Sequence, residues 1–179
     1  MIKRINTLAL LTATLLAPPL WAADGIMKFN GKVTENTCVL EAKDLTVDLG
    51  TIAAVTNLSG ATGAGRFTIQ LNDCPASSNQ ARIRFEGVLV DSSFRPGTVF
   101  AFSNQNEDGA AQNVGFTIDS LYANNPIPVG GESKLYTLET GTGSINKLEF
   151  SLGFQRIKSN APVTPGMATG DTQFSIIYP

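Results

Sequence analysis

The chain contains no histidine. That absence removes Ser-His-Asp and Cys-His catalysis, and nearly all zinc hydrolysis, at the outset. Cysteine occurs only twice, as Cys38 and Cys74, and two cysteines without a histidine do not complete a four-ligand zinc site. Charge of one sign is equally scarce: 13 Lys+Arg stand against 15 Asp+Glu, a formal net charge of −2, with no basic block of the kind that binds nucleic acid. The apolar run Leu8 to Ala17 covers about ten residues, half of the ~20 that a membrane-crossing helix requires, and no second segment comes closer. No stretch keeps a helical period over three turns. The only tryptophan, Trp21, lies just behind that apolar run.

What is present begins with Lys3-Arg4, the apolar run, and then Pro18-Pro19-Leu20-Trp21-Ala22. A basic tip, a short apolar core and a small residue at the end predict a secretory signal peptide over residues 1–22. Cleavage is expected after Ala22, with Ala23 as the alternative last residue removed. Losing Lys3 and Arg4 and no acid takes the net charge from −2 to −4. Export to an oxidising compartment, with an even cysteine count, predicts a Cys38–Cys74 disulfide. In the loop-entropy account, closing a loop of this length stabilises the fold by about 4 kcal/mol.

The mature sequence reads as all-β. Alternating or β-rich runs recur at Leu45 to Ile52, Arg66 to Leu71, Arg82 to Val90, Val99 to Ser103, Asn113 to Ile118, Lys147 to Phe154 and Thr172 to Tyr178. Turn-rich stretches, Ser59 to Gly65 and Gly141 to Ser144, separate them. Short strands divided by such loops predict one β-sandwich domain. The final run alternates Phe174, Ile176 and Tyr178, and only Pro179 follows. A constant-type immunoglobulin sandwich needs seven strands and closes a sheet with its last. If the terminal run is the sixth, the expected fold lacks its closing strand and exposes a hydrophobic edge. At the opposite end Gly25, Met27, Phe29, Gly31 and Val33 also alternate, a spare strand behind the cleavage site.

These residues resemble a family, the structural subunits of chaperone–usher fimbriae in the type 1 and P pilus group. The resemblance covers the mature chain and rests on four features in order: the run Gly25 to Val33 followed by Cys38; Phe67-Thr68-Ile69-Gln70-Leu71-Asn72-Asp73-Cys74-Pro75; Gly166, fourteenth from the end; and the terminal strand with Tyr178. It implies an incomplete immunoglobulin-like β-sandwich (the pilin fold), completed by a donor strand from another subunit, one form of strand addition to a sheet edge. Residues 23–36 would then be the donor extension and 37–179 the pilin domain. Gly25, Met27, Phe29, Gly31 and Val33 would point into a neighbour's groove, and Lys28, Asn30 and Lys32 outward. The acceptor groove would be edged by Phe174, Ile176 and Tyr178, with Gly166 nearby and the Pro179 carboxylate gripped by a periplasmic chaperone. The implied partners are that chaperone, an outer-membrane usher and neighbouring subunits, on a surface fimbria that contributes to cell adhesion. Proline at the terminus departs from the polar residue usual in the family. The two residues before Gly25 resemble minor, tip-proximal subunits more than major rod subunits.

Other readings are weaker. The run at Gly25 could be the first strand of the chain's own sandwich. Ser144-Ile145-Asn146-Lys147 matches S-x-x-K but has no S-D-N or K-T-G partner. Asn104 to Gly109 imitates half a calcium loop, yet the twelfth position is Gly115 where a bidentate glutamate is required. Gly60, Gly63 and Gly65 lack the strand-to-helix setting of a phosphate loop, and Asn57-Leu58-Ser59 is a glycosylation sequon. No enzyme activity, cofactor or metal is expected. The alternative function is a single-domain adhesin or carbohydrate-binding module at the fimbrial tip, with loops Asn104 to Gln112 and Leu121 to Gly131 as its first candidates.

Overall fold

A computed structural model describes residues 37–54, 58, 62–121 and 126–179. The expected signal peptide and the expected donor residues Gly25, Met27, Phe29, Gly31 and Val33 lie outside the described residues, as does the sequon Asn57. Nine strands form: β1 (Val39–Leu40), β2 (Thr62–Asn72), β3 (Gln80–Glu86), β4 (Leu89–Val90), β5 (Val99–Phe100), β6 (Val114–Ser120), β7 (Tyr136–Thr137), β8 (Ile145–Arg156) and β9 (Gln173–Ile177). They make a six-stranded sheet in the order β1-β2-β8-β6-β5-β4 and a three-stranded sheet in the order β7-β3-β9. No helix occurs among the described residues.

The long central pair follows from alternation. In β8, Leu148 and Phe150 turn inward and are almost fully buried, while Lys147 and Glu149 face out. Its register with β2 sets Phe67 opposite Phe150 and Ile69 opposite Leu148. In β3, Ala81, Ile83 and Phe85 are the buried set, and Phe85 carries the second sheet to the first. Its ring meets Phe150 edge-on at 5.2 Å and Phe67 edge-on at 6.0 Å, while Phe67 stacks on Phe150 at 5.2 Å. Fully burying each such side chain contributes about 1.5–3 kcal/mol, and the edge-to-face contacts about 0.5–1.5 kcal/mol more.

The base of the sandwich is closed by covalent and polar links. Val39 pairs with Asn72, which brings the residues flanking β1 and β2 together, and Cys38 is joined to Cys74 there. Beneath that bond Asn146 is buried and donates to the Glu139 carbonyl at 2.9 Å, while its Oδ1 accepts from the Glu139 N–H at 2.7 Å.

The structure departs from the sequence expectation in several places. The strand expected over Arg82 to Val90 divides into β3 and β4, and the last strand is the ninth segment rather than the sixth. The turn-rich stretch before Gly65 instead begins β2, because β8 is long enough to continue the ladder to a Thr62–Phe154 pair past a bulge. Strands β1 and β7, two residues each, are too short to show a period. Most informative is 45–52: it carries no strand ladder, although half-buried Val47 and Leu49 alternate with exposed Thr46, Asp48 and Gly50. It lies across β2 at Gly65, where an added Cβ would sit 2.7 Å from Val47 and 3.0 Å from Leu49. Finally, Gly115 lies in β6 with its Cα facing the Phe100 carbonyl, 2.5 Å from where a Cβ would stand, so the glutamate of a calcium loop has no room.

Candidate functional site

Between 45–52 and 163–176 runs an apolar groove. Strand β9 holds one wall: it pairs with β3, with Phe174 opposite Phe85 and Ile176 opposite Ile83, and is the edge strand of its sheet among the described residues. An edge strand presents a row of backbone N–H and C=O groups without a ladder partner. The opposite wall is the unladdered segment 45–52, whose Val47 and Leu49 point inward and whose Asp48 points out. The segment 45–52 bends at Gly50, which has a positive φ and donates its N–H to the Asp48 carboxylate.

The groove has two chambers. The larger, about 810 Å³, lies between 45–54 and 163–172 over a floor that includes Phe102, Val114, Phe116, Leu152 and Phe154. The smaller, about 600 Å³, lies between Leu40 to Val47 and Thr172 to Ile176 over Phe67, Phe85 and Ile118. They share Leu45, Val47, Leu152 and Thr172, which form the waist. The floor is aromatic: Phe116 stacks on Phe100 at 5.1 Å and meets Phe102 at 5.3 Å. Leu152 remains half-buried, unlike its β8 neighbours Leu148 and Phe150, because it forms groove floor rather than closed core. Charges sit only on the rim, with Lys43, Asp44, Asp48 and Asp171 exposed.

Of the residues expected at the acceptor site, Phe174 and Ile176 line the smaller chamber and Gly166 the larger. Tyr178 packs against the core, and Pro179 is exposed. The Tyr178 hydroxyl is buried without a partner in full hydrogen-bond geometry; burial raises its pKa, and the nearby Cys38 backbone offsets part of the rise. Tyr178→Phe is therefore expected to leave unfolding free energy within about 0.5 kcal/mol of wild type in a urea titration, since no satisfied bond is lost. Gly166 backs onto the main chain of 109–111, where a Cβ would stand 2.4 Å from three backbone atoms. Backbone cannot yield as a flexible side chain does. Gly166→Ala should push the wall aside and cost about 1–3 kcal/mol, read as a lower urea midpoint.

The floor residues Phe102, Phe116 and Phe154 and the wall 45–52 are not evident as a site in the sequence, where they read as ordinary strand interior. The one available signal was the alternation of Val114, Phe116 and Ile118 in a chain with an unmatched terminal strand. Loop Asn104 to Gln112, expected as a receptor-binding candidate, ties two of its polar side chains to main chain, while Asn106, Glu107 and Asp108 are exposed. Asn104 bonds the main chain at Met167 and Thr169, and Gln112 donates to the Gln105 and Ala110 carbonyls. Loop Leu121 to Gly131 is described only in part.

A disulfide-pinned, all-β domain with a long apolar groove bordered by an edge strand defines a pilin-type fimbrial subunit. The chain belongs to the fimbrial protein family, whose model matches residues 27–179. It is 32% identical over 174 residues to the major fimbrial subunit SMF-1 of Stenotrophomonas maltophilia, covering 88% of this chain and 94% of the other. It is 30% identical over 181 residues to the type-1 fimbrial protein A chain of Escherichia coli, covering 97% and 94%. Among solved structures it resembles the P pilus rod subunit PapA, with a TM-score of 0.61 at 16% identity over 80% of this chain and all of the other. A chaperone–usher pilus subunit gives the same TM-score at 19% identity over 91% of this chain. These likenesses show the immunoglobulin-like pilin fold. The protein is a structural subunit of a cell-surface fimbria.

Proposed function

We propose that this subunit polymerises by donor-strand exchange: its groove accepts an extended strand from a neighbouring subunit, and its own residues 23–36 enter the groove of the next. The observation that carries this reading is the groove bordered by β9 on one side and by the unladdered 45–52 on the other. A strand laid between them can use backbone groups on both flanks and direct alternate side chains onto the aromatic floor. Nine extended residues, Gly25 to Val33, would span about 30 Å. Rim and strand also differ in net charge, Lys28 and Lys32 alternating with the apolar set while Asp44, Asp48 and Asp171 outnumber Lys43 at the rim.

A groove this apolar needs cover during export, because each Å² kept from water contributes about 25 cal/mol. A periplasmic chaperone supplies that cover in this scheme, and an outer-membrane usher is where it gives way to the incoming subunit strand. No step requires catalytic chemistry, a cofactor or a metal; the function is assembly, and adhesion follows from the fibre. The test is thermal. Peptides copying the N-terminal extensions of this chain and of its fibre neighbours should raise the melting temperature of the mature subunit strongly for at least one of them. No shift across the panel sinks the reading. Within a peptide that binds, Phe29→Asp should weaken insertion by two orders of magnitude or more, because the groove would have to bury a carboxylate.

A further inference from the structure

We propose that Asn104 is a positioning residue that sets the width of the larger chamber, and so selects which donor side chains that chamber accepts. This rests on the donor-strand reading above. The two chambers are built differently. Beside the smaller one, the wall is β9, held to β3 by a regular ladder from Gln173 to Ile177. Beside the larger one, the wall over 163–170 belongs to no strand, and its described hydrogen bonds run to the loop 103–113. Gln112 and Thr164 exchange both backbone bonds at 3.1 Å, Met167 N–H donates to the Gly109 carbonyl at 3.0 Å, and Ala111 N–H donates to the Met167 carbonyl at 2.8 Å.

Asn104 ties the far end. Its Nδ2 donates to the Met167 carbonyl at 3.1 Å, and its Oδ1 accepts from the Thr169 N–H at 2.9 Å. The residue is only 9% exposed, and losing its side chain removes the one described partner of the Thr169 N–H, while the Met167 carbonyl keeps its bond from Ala111. Immediately after Thr169, Gly170 rests on the floor, where a Cβ would stand 2.7 Å from Phe116 and 3.1 Å from Phe102. The Asn104 side chain, together with the Ser103 N–H and hydroxyl that donate to the Thr169 carbonyl at 2.7 and 2.9 Å, therefore holds the wall at the height at which glycine alone clears the aromatic floor. Releasing it changes the depth of this chamber and not of the other, which the ladder keeps.

The test uses the mature chain purified from the periplasm, as wild type, N104A and N104D. In hydrogen exchange, N104A should lose protection at 164–170 and 109–112 while β3, β8 and β9 keep theirs. Faster exchange throughout the sandwich, or no change at the wall, overturns the brace. The second measurement is donor-peptide dissociation, with a peptide of residues 23–36 and its Met27→Ala, Phe29→Ala and Val33→Ala variants. N104A should release the unmodified peptide about tenfold faster. Its effect should be non-additive with substitutions at one end of the peptide and additive at the other. N104D, which keeps the acceptor for Thr169 and loses the donor to Met167, should fall between wild type and N104A. Equal, additive losses at every peptide position would mean general destabilisation and overturn the selection role. If the unmodified peptide does not bind wild type, donation by this segment to its own copy fails instead, and the exchange pattern decides the brace alone.

Discussion

A chain lacking residues 23–33 should reach the periplasm, form its Cys38–Cys74 disulfide and fold to the wild-type extent, yet fail to occupy a neighbour's groove. Met27, Phe29 and Val33 are the large apolar positions of that segment. Burying each is worth about 1.5–3 kcal/mol, so removing the three forfeits roughly 5–9 kcal/mol and lowers the association constant by some three to six orders of magnitude. The backbone bonds of the inserted strand are lost in addition. Native gels and electron microscopy of fibres assembled from the truncated chain read the outcome: monomers or capped ends in place of polymers. The groove of the truncated chain keeps all its lining, so the chain should still accept a donor and stop growth on one side only. If instead it cannot fold even when chaperone-bound, residues 23–33 form a strand of the chain's own sandwich and the donor assignment is wrong.

The paired substitution of Cys38 and Cys74 by serine should cost about 4 kcal/mol of unfolding free energy, the loop-closure contribution for a separation of 36 residues. Single domains have only about 5–15 kcal/mol in total, so the variant is expected to lose most of its margin at 37 °C. Urea titration of variant and wild type, each with the same donor peptide bound, reads the difference without the open groove confounding it. Both sulfurs belong to the buried core, Cys38 at 7% and Cys74 at 0% exposure, so the serine hydroxyls also enter an apolar setting. A loss well below 2 kcal/mol would mean that the β1–β2 pairing and Asn146 already constrain this end of the domain without the covalent link.

Much of the architecture was legible in the chain because its causes are local. The alternation of Leu148, Phe150, Leu152 and Phe154 marks β8, and Phe67-Thr68-Ile69-Gln70-Leu71 marks β2, since a half-buried strand needs no information beyond its own period. What escaped was governed by contacts distant in sequence. Residues 45–52 alternate as a strand does, but a ladder requires a partner at the right height, and none of the described residues supplies one. Gly65 looked like a turn residue and is a strand position where another segment passes too closely for a Cβ, a closeness that Gly115, inside an expected strand, also did not reveal. Loop 103–112, polar and rich in turn residues, read as a candidate for binding a receptor; within it Asn104 turns inward to backbone groups of the wall 163–170, while Asn106, Glu107 and Asp108 stay exposed.

The sequence by itself determined the all-β class, export, the disulfide pair, the exclusion of histidine chemistry, and the alternating apolar sets at Gly25 to Val33 and Phe174 to Tyr178. Each follows from residue identity or from a period of two. Only the tertiary structure decided that 45–52 and 163–176 stand on opposite sides of one aromatic floor, that the groove divides at Leu45, Val47, Leu152 and Thr172, and that Asn104 fixes one of its walls. A groove is a relation among segments more than a hundred residues apart, and its width is set by which backbone groups meet after the chain has folded.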